Sequence, residues 1–180
     1  MSTPVRLLVG AACVVALACR TGNAGIDYGE TPVQNTVDTV RGVLSTVGSE
    51  PIVEVVITPA AGEKFVIVGG QTARLRSLGK VEVMLAGRYP GLRSMTAAPR
   101  GLRAFEADKF TVRSADGVPA YDGVVVKEAD HYFLISSNGH RWPADHMPEM
   151  LRRLPGARVF LAGPLDRDPV SYGIISEPGR

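Results

Sequence analysis

From Thr36 onward, β-branched and aliphatic residues come in short runs separated by Gly, Pro, Asn and Asp. The runs are TVRGVLSTV (39–47), PIVEVVITP (51–59), KFVIVGG (64–70), KVEVMLAGRY (80–89), FEADKFTVR (105–113), AYDGVVVKEA (120–129), HYFLISSNG (131–139), ARVFLAG (157–163) and PVSYGIIS (169–176). Some alternate with a period of two: Val81, Val83 and Leu85 against Glu82, and Val159 and Leu161 against Arg158. A strand with one face in a core has that pattern. Nine such segments bounded by turn residues predict an all-β barrel or sandwich. A helix over 32–47 competes for the first segment, since Val33, Val37, Val40, Val43 and Val47 keep helical spacing behind Thr31-Pro32. The density of Val and Thr, with Gly42 in the middle, favours the strand.

The chain repeats itself once. Arg41-Gly42-Val43-Leu44 returns as Asp122-Gly123-Val124-Val125, and the run 80–87 ending in Ala86-Gly87 returns as 157–163 ending in Ala162-Gly163. Gly42 and Gly87 lie 45 residues apart, Gly123 and Gly163 40. Each copy reads strand with an internal glycine, two strands, a short turn or helix, a strand ending in Ala-Gly, and a last strand. The helical pieces are 71–78 in the first copy and 147–154 in the second, the latter with Pro148 near its first turn and Pro155-Gly156 behind it.

This five-strand order with a small helix between strands three and four resembles the OB-fold, a Greek-key barrel. The resemblance implies two tandem barrels, 36–115 and 116–180, whose first strands coil at Gly42 and Gly123, where the missing Cβ permits a sharp bend. Each copy is small for a core of its own, so the two are expected to pack together, with Met84 and Phe160 as contact candidates. One larger β-sandwich is the alternative.

Upstream the chemistry changes. Residues 7–18, LLVGAACVVALA, carry no charge and follow Arg6. At about 1.5 Å per residue they reach roughly 18 Å, short of a hydrocarbon core of about 30 Å, which makes them the apolar region of an export signal spanning 1–18. Val15-Ala16-Leu17-Ala18-Cys19 resembles the lipobox of bacterial lipoproteins, with Ala16 where Leu is usual. The resemblance implies that Cys19 is diacylated and becomes the mature amino terminus, anchored to a membrane facing the periplasm or exterior, the outer membrane favoured by Arg20. Ala16-Leu17-Ala18 equally suits an ordinary cleaved signal, which would leave Cys19 a free thiol in an oxidising compartment. Residues 19–35, rich in Gly, Asn, Thr and Pro, read as a flexible tether.

Composition narrows the chemistry. Among 180 residues, 20 Lys and Arg oppose 18 Asp and Glu, a near-neutral balance without the bulk charge that holds nucleic acid. The only cysteines are Cys13 and Cys19, so on the lipoprotein reading the folded part has no thiol for catalysis, a disulfide or a metal. Phosphate-loop, dinucleotide, nucleophile-elbow and zinc-protease motifs are all missing, and no catalytic residue, metal or cofactor is expected. His131, His140 and His146 lie close in sequence, and a metal-dependent envelope enzyme built on them is one alternative. Residues 74–103 hold seven Arg and Lys against Glu82 alone, and 89–103 is the loop between strands four and five of the first copy, which borders the ligand face in OB-folds. Arg88, Arg93, Arg100 and Arg103 are therefore the candidate ligand residues. Trp142 joins them as a stacking surface for a sugar or base, an oligosaccharide or oligonucleotide reading that aromatics at 6% disfavour for nucleic acid. The expected protein is a non-catalytic envelope module whose partners are the membrane and a protein or anionic glycan.

Overall fold

The computed structural model describes residues 37–49, 51–90 and 102–179, all within one compact unit, Asn35–Arg180. The signal, Cys19, the tether, Arg93 and Arg100 lie outside the described residues. The fold is all-β: β1 (Asp38–Ser49), β2 (Ile52–Thr58), β3 (Phe65–Val68), β4 (Val81–Arg88), β5 (Arg103–Ala115), β6 (Val118–Glu128), β7 (His131–Ile135), β8 (Arg141–Pro143), β9 (Arg158–Ala162) and β10 (Ser171–Ser176). Two short helices interrupt them, α1 (Thr72–Ser77) before β4 and α2 (Glu149–Arg152) before β9. Each of the nine apolar runs contains a strand. The additional one, β8, is three residues long and ends in proline, too short to show a period. Over the described part of 32–47 the β-branched residues win, and β1 forms.

In the N-terminal half the pairings close a ring. β1 pairs with β2 and β4, β2 with β3, β3 with β5 and β5 with β4. All are antiparallel except β3–β5. The C-terminal half has the same sequence of partners: β6 pairs with β7 and β9, β7 with β8, and β9 with β10. Among the described residues β8 and β10 do not pair, so this second set stays open where the first closes.

Gly42 and Gly123 do equivalent work. β1 pairs with β4 through Val43 and with β2 from Val43 onward; β6 pairs with β9 through Val124 and with β7 from Val124 onward. One residue earlier, each strand coils from one neighbour to the next. A Cβ on Gly42 would stand 2.5 Å from the Thr58 carbonyl oxygen, and one on Gly123 2.6 Å from that of Ile135. Only a residue without a side chain lets the backbones approach so closely.

A tight hairpin joins β5 to β6. Ala115 pairs with Val118, and Asp116 and Gly117 between them have φ of 49° and 79°, the left-handed pair that an Asp-Gly turn supplies. Two apolar clusters follow. One fills the ring and extends to Phe160, Ala162 and Ile175 of the C-terminal half. The other lies between the second set of strands and α2, around Val125, Leu134, Met147, Leu151, Val159 and Leu161. Phe160 belongs to the first cluster, whereas Met84, at the corresponding position of β4, is only half-buried and lies outside it.

Candidate functional site

Two of the four candidate arginines are described, and the fold brings both to one end of the ring. Arg88 closes β4 and pairs with Glu106 on β5, Nε to Oε2 2.8 Å. Arg103 opens β5, donates to Glu63 at 3.3 Å, and lays its guanidinium 4.7 Å from the Tyr89 ring centroid. Tyr89 meets Phe105 edge-on at 5.2 Å. Arg88 and Arg103 therefore flank the segment that carries Arg93 and Arg100. A cleft of about 260 Å³ beside them is lined by Thr39, Arg41, Glu63, Phe65 and Tyr89. Next to it the half-exposed Arg103 guanidinium stacks on the Tyr89 ring, a surface suited to a planar or anionic group.

Trp142 sits elsewhere. On β8 it is half-buried against the second cluster, edge-on to Tyr121 at 5.2 Å and 4.7 Å from the His140 ring. The histidines serve three separate surroundings: His140 packs on Trp142, His131 Nδ1 lies 3.2 Å from Asp145 Oδ2, and His146 lines a shallow groove with Asp168 and Tyr172. Among the described residues no three His, Cys, Asp or Glu side chains stand together as a metal site. The Asp145 carboxyl is held below its ordinary value, first by the Tyr132 backbone N–H and then by His131.

Charge pairing also marks the repeat. Arg41 donates from Nε and a terminal nitrogen to both Glu82 oxygens at 2.9 and 3.0 Å, and Arg158 does the same to Asp122 at 2.8 Å each. In register Arg41 corresponds to Asp122 and Glu82 to Arg158, so the second bridge repeats the first with its signs exchanged. The Glu82 carboxyl is held low chiefly by the Arg41 hydrogen bond, opposed by burial and assisted by the Ser114 hydroxyl.

The junction of the halves holds a feature that sequence reasoning missed. β6 leaves β5 after Ser114–Pro119, which strips a stretch of the β5 edge of its strand partner. Side chains replace it. Gln71 donates to the Asp108 carbonyl at 3.2 Å, Arg158 to the Phe110 carbonyl at 2.5 Å, and the Val112 N–H donates to Asp122 at 2.8 Å. Beside this edge opens a groove of about 620 Å³ between β5 and the β6–β7 hairpin. Sequence could have flagged Asp122 as a lone acid on an apolar strand. The groove itself depends on how the copies dock, which no spacing reveals.

No family model, no curated protein and no solved structure matches this chain. Its function is argued from its own residues.

Proposed function

We propose that this protein is a lipid-anchored lipoprotein of the bacterial envelope, carrying two OB-like barrels, the second incomplete, that act as a non-catalytic binding or scaffolding module. The observation that supports the fold reading most is the ring order β1-β2-β3-β5-β4, with the helix between its third and fourth strands and the same order begun again in β6–β10. An OB barrel has that arrangement. Such barrels present ligands to one face and the loops around it, here the loop that starts beside Arg88 and ends beside Arg103. Because OB-folds host many unrelated activities, the choice of a binding role rests on residue chemistry: salt-bridged arginines around a stacked Tyr89.

The anchor rests on Val15–Cys19 and its apolar leader. No helix among the described residues is long and apolar enough to cross a membrane, and acylation at Cys19 needs none, since each buried CH₂ of an acyl chain contributes about 0.8 kcal/mol. The experiment has two arms. Metabolic labelling with palmitate should mark the protein and lose the label in Cys19→Ser; unlabelled wild type ends the lipoprotein reading. In-cell crosslinking should capture an envelope protein or glycan, and Arg93→Glu with Arg100→Glu should reduce that capture several-fold. Unchanged capture ends the assignment of the loop as the binding element.

A further inference from the structure

The groove beside β5 shares no lining residue with the cleft beside Arg88 and Arg103 and has its own chemistry. Its floor is apolar, made by Ala86 and Phe110 on one wall and Val124, Val126 and Ile135 on the other. Its rim is mostly basic. Arg74 on α1 and Lys109 on β5 line it, and among the described residues neither side chain has an ion pair or hydrogen bond. Arg158 also lines it but is committed to Asp122 and the Phe110 carbonyl. Asp108 is the acid on the rim, and its backbone carbonyl is taken by Gln71. Ser136 and Ser137 border the far side, with the Ser136 hydroxyl turned inward to its own hairpin and the His140 carbonyl.

This combination points to a particular kind of ligand. Unpaired cations on a rim favour an anion and confer specificity by charge. An apolar floor with few polar atoms favours a hydrocarbon body. At about 620 Å³ the groove falls in the range of small-molecule sites, and β5 contributes Asp108–Thr111 along its length, about 13 Å of strand at roughly 3.3 Å per residue. A second chain segment paired as a strand fits less well, because the Asp108 and Phe110 carbonyls and the Val112 N–H are already occupied by side chains.

We infer that the groove between β5 and the β6–β7 hairpin binds a small single-chain amphiphile, its anionic head at Arg74 and Lys109 and its aliphatic body along Phe110, Val124, Val126 and Ile135. This site shares no lining residue with the cleft beside Arg88 and Arg103 and goes beyond the scaffolding role.

The test uses the full chain in phosphatidylcholine nanodiscs with photoreactive decanoate and photoreactive decanol at equal concentration, the adducts mapped by peptide mass spectrometry. Val170 and Met150, 63% and 52% exposed and outside the groove, give the background for indiscriminate labelling of apolar surface. Decanoate adducts should concentrate on residues 108–111 and 123–137 by about tenfold over that background, and decanol adducts should not. Arg74→Glu with Lys109→Glu, both exposed and unpaired, should bring decanoate down to the decanol level with the circular dichroism spectrum unchanged. Val124→Asp, at an exposed floor position, should do so through the floor. Labelling of the groove no heavier than Val170 and Met150, equal labelling by decanol, or indifference to the charge reversal would each overturn the assignment. Loss of envelope crosslinking in the arginine-loop variants leaves this readout untouched, so the two proposals fail separately.

Discussion

Arg41–Glu82 in the N-terminal half and Arg158–Asp122 in the C-terminal half bridge equivalent strand pairs one step either side of the coiling glycine, with charges exchanged. Their surroundings differ. The first lies on the outside of a closed ring, Arg41 59% exposed, while Asp122 is 3% exposed and Arg158 29%. The Arg41–Glu82 bridge faces water, where an exposed ion pair adds little stability. Among the described residues the second set does not close. It docks against the β5 edge, and its bridge supplies the donor and acceptor that a neighbouring strand would have given. The two halves differ most where they meet: Phe160 joins the first cluster while Met84 stays half-buried, and an ion pair becomes a side-chain substitute for strand pairing.

Removing the second bridge tests this comparison most severely. Asp122→Ala leaves Arg158 without its counter-charge and the Val112 N–H without an acceptor, and should cost about 3 kcal/mol, the low end for breaking a buried pair because Arg158 keeps some water. Glu82→Ala should cost less than about 1 kcal/mol. Urea denaturation with unchanged m-values measures both; equal costs would mean that burial at the junction does not matter. Next come the glycines. Gly42→Ala and Gly123→Ala each push a Cβ into a backbone carbonyl, and overpacking of that kind costs about 1–3 kcal/mol. The closed ring cannot yield without breaking a ladder, so Gly42→Ala should lie near the top of the range and Gly123→Ala near the bottom. The reverse order would show the open half to be the stiffer one.

Much of this architecture was legible in the sequence because the signals were local. Val81, Val83 and Leu85 alternate and are buried, and Gly42 and Gly123 mark their bends by recurring in the same context. The unread parts are relational. Asp122 stands out in sequence only as a lone acid on an apolar strand, and its role appears when Arg158 and the β5 edge arrive from 36 residues on and 10 back. β8 is set by pairing with β7 rather than by a period of its own. The turn at Asp116-Gly117 joins two paired strands and so continues one sheet. Of the candidate ligand residues, Arg88 and Arg103 share one end of the ring because β4 and β5 are neighbours, whereas Trp142 follows β8 into the other cluster. The junction groove had no signature, since its walls come from α1, β4, β5, β6, β7 and β9.

Hydrogen exchange gives a gentler comparison. Backbone amides of β1–β5, closed into a ring around the larger cluster, should exchange through global unfolding, and those on the outer edges of β8 and β10 through local opening. Equal protection throughout would indicate that the open half is closed in solution by something further.

The smallest effect is the pH dependence of the exposed bridge. Arg41 holds the folded-state Glu82 carboxyl below its unfolded value, so the pair's stabilisation is fully present above the ordinary glutamate pKa of about 4.3 and fades as pH falls through the lower folded value. Glu82→Gln should therefore flatten the stability profile in that acid window and lower stability by a few tenths of a kcal/mol near neutrality, discounted for solvent screening. Asp145 in the C-terminal half has the same sign for a different first cause, the Tyr132 N–H, so Asp145→Asn should flatten the same acid region. His131→Ala should reproduce only part of that change, because the backbone donor stays. If His131→Ala flattens the profile as fully as Asp145→Asn, the histidine rather than the strand backbone sets the aspartate, and the acid response of the open half comes from a side-chain pair just as it does in the closed one.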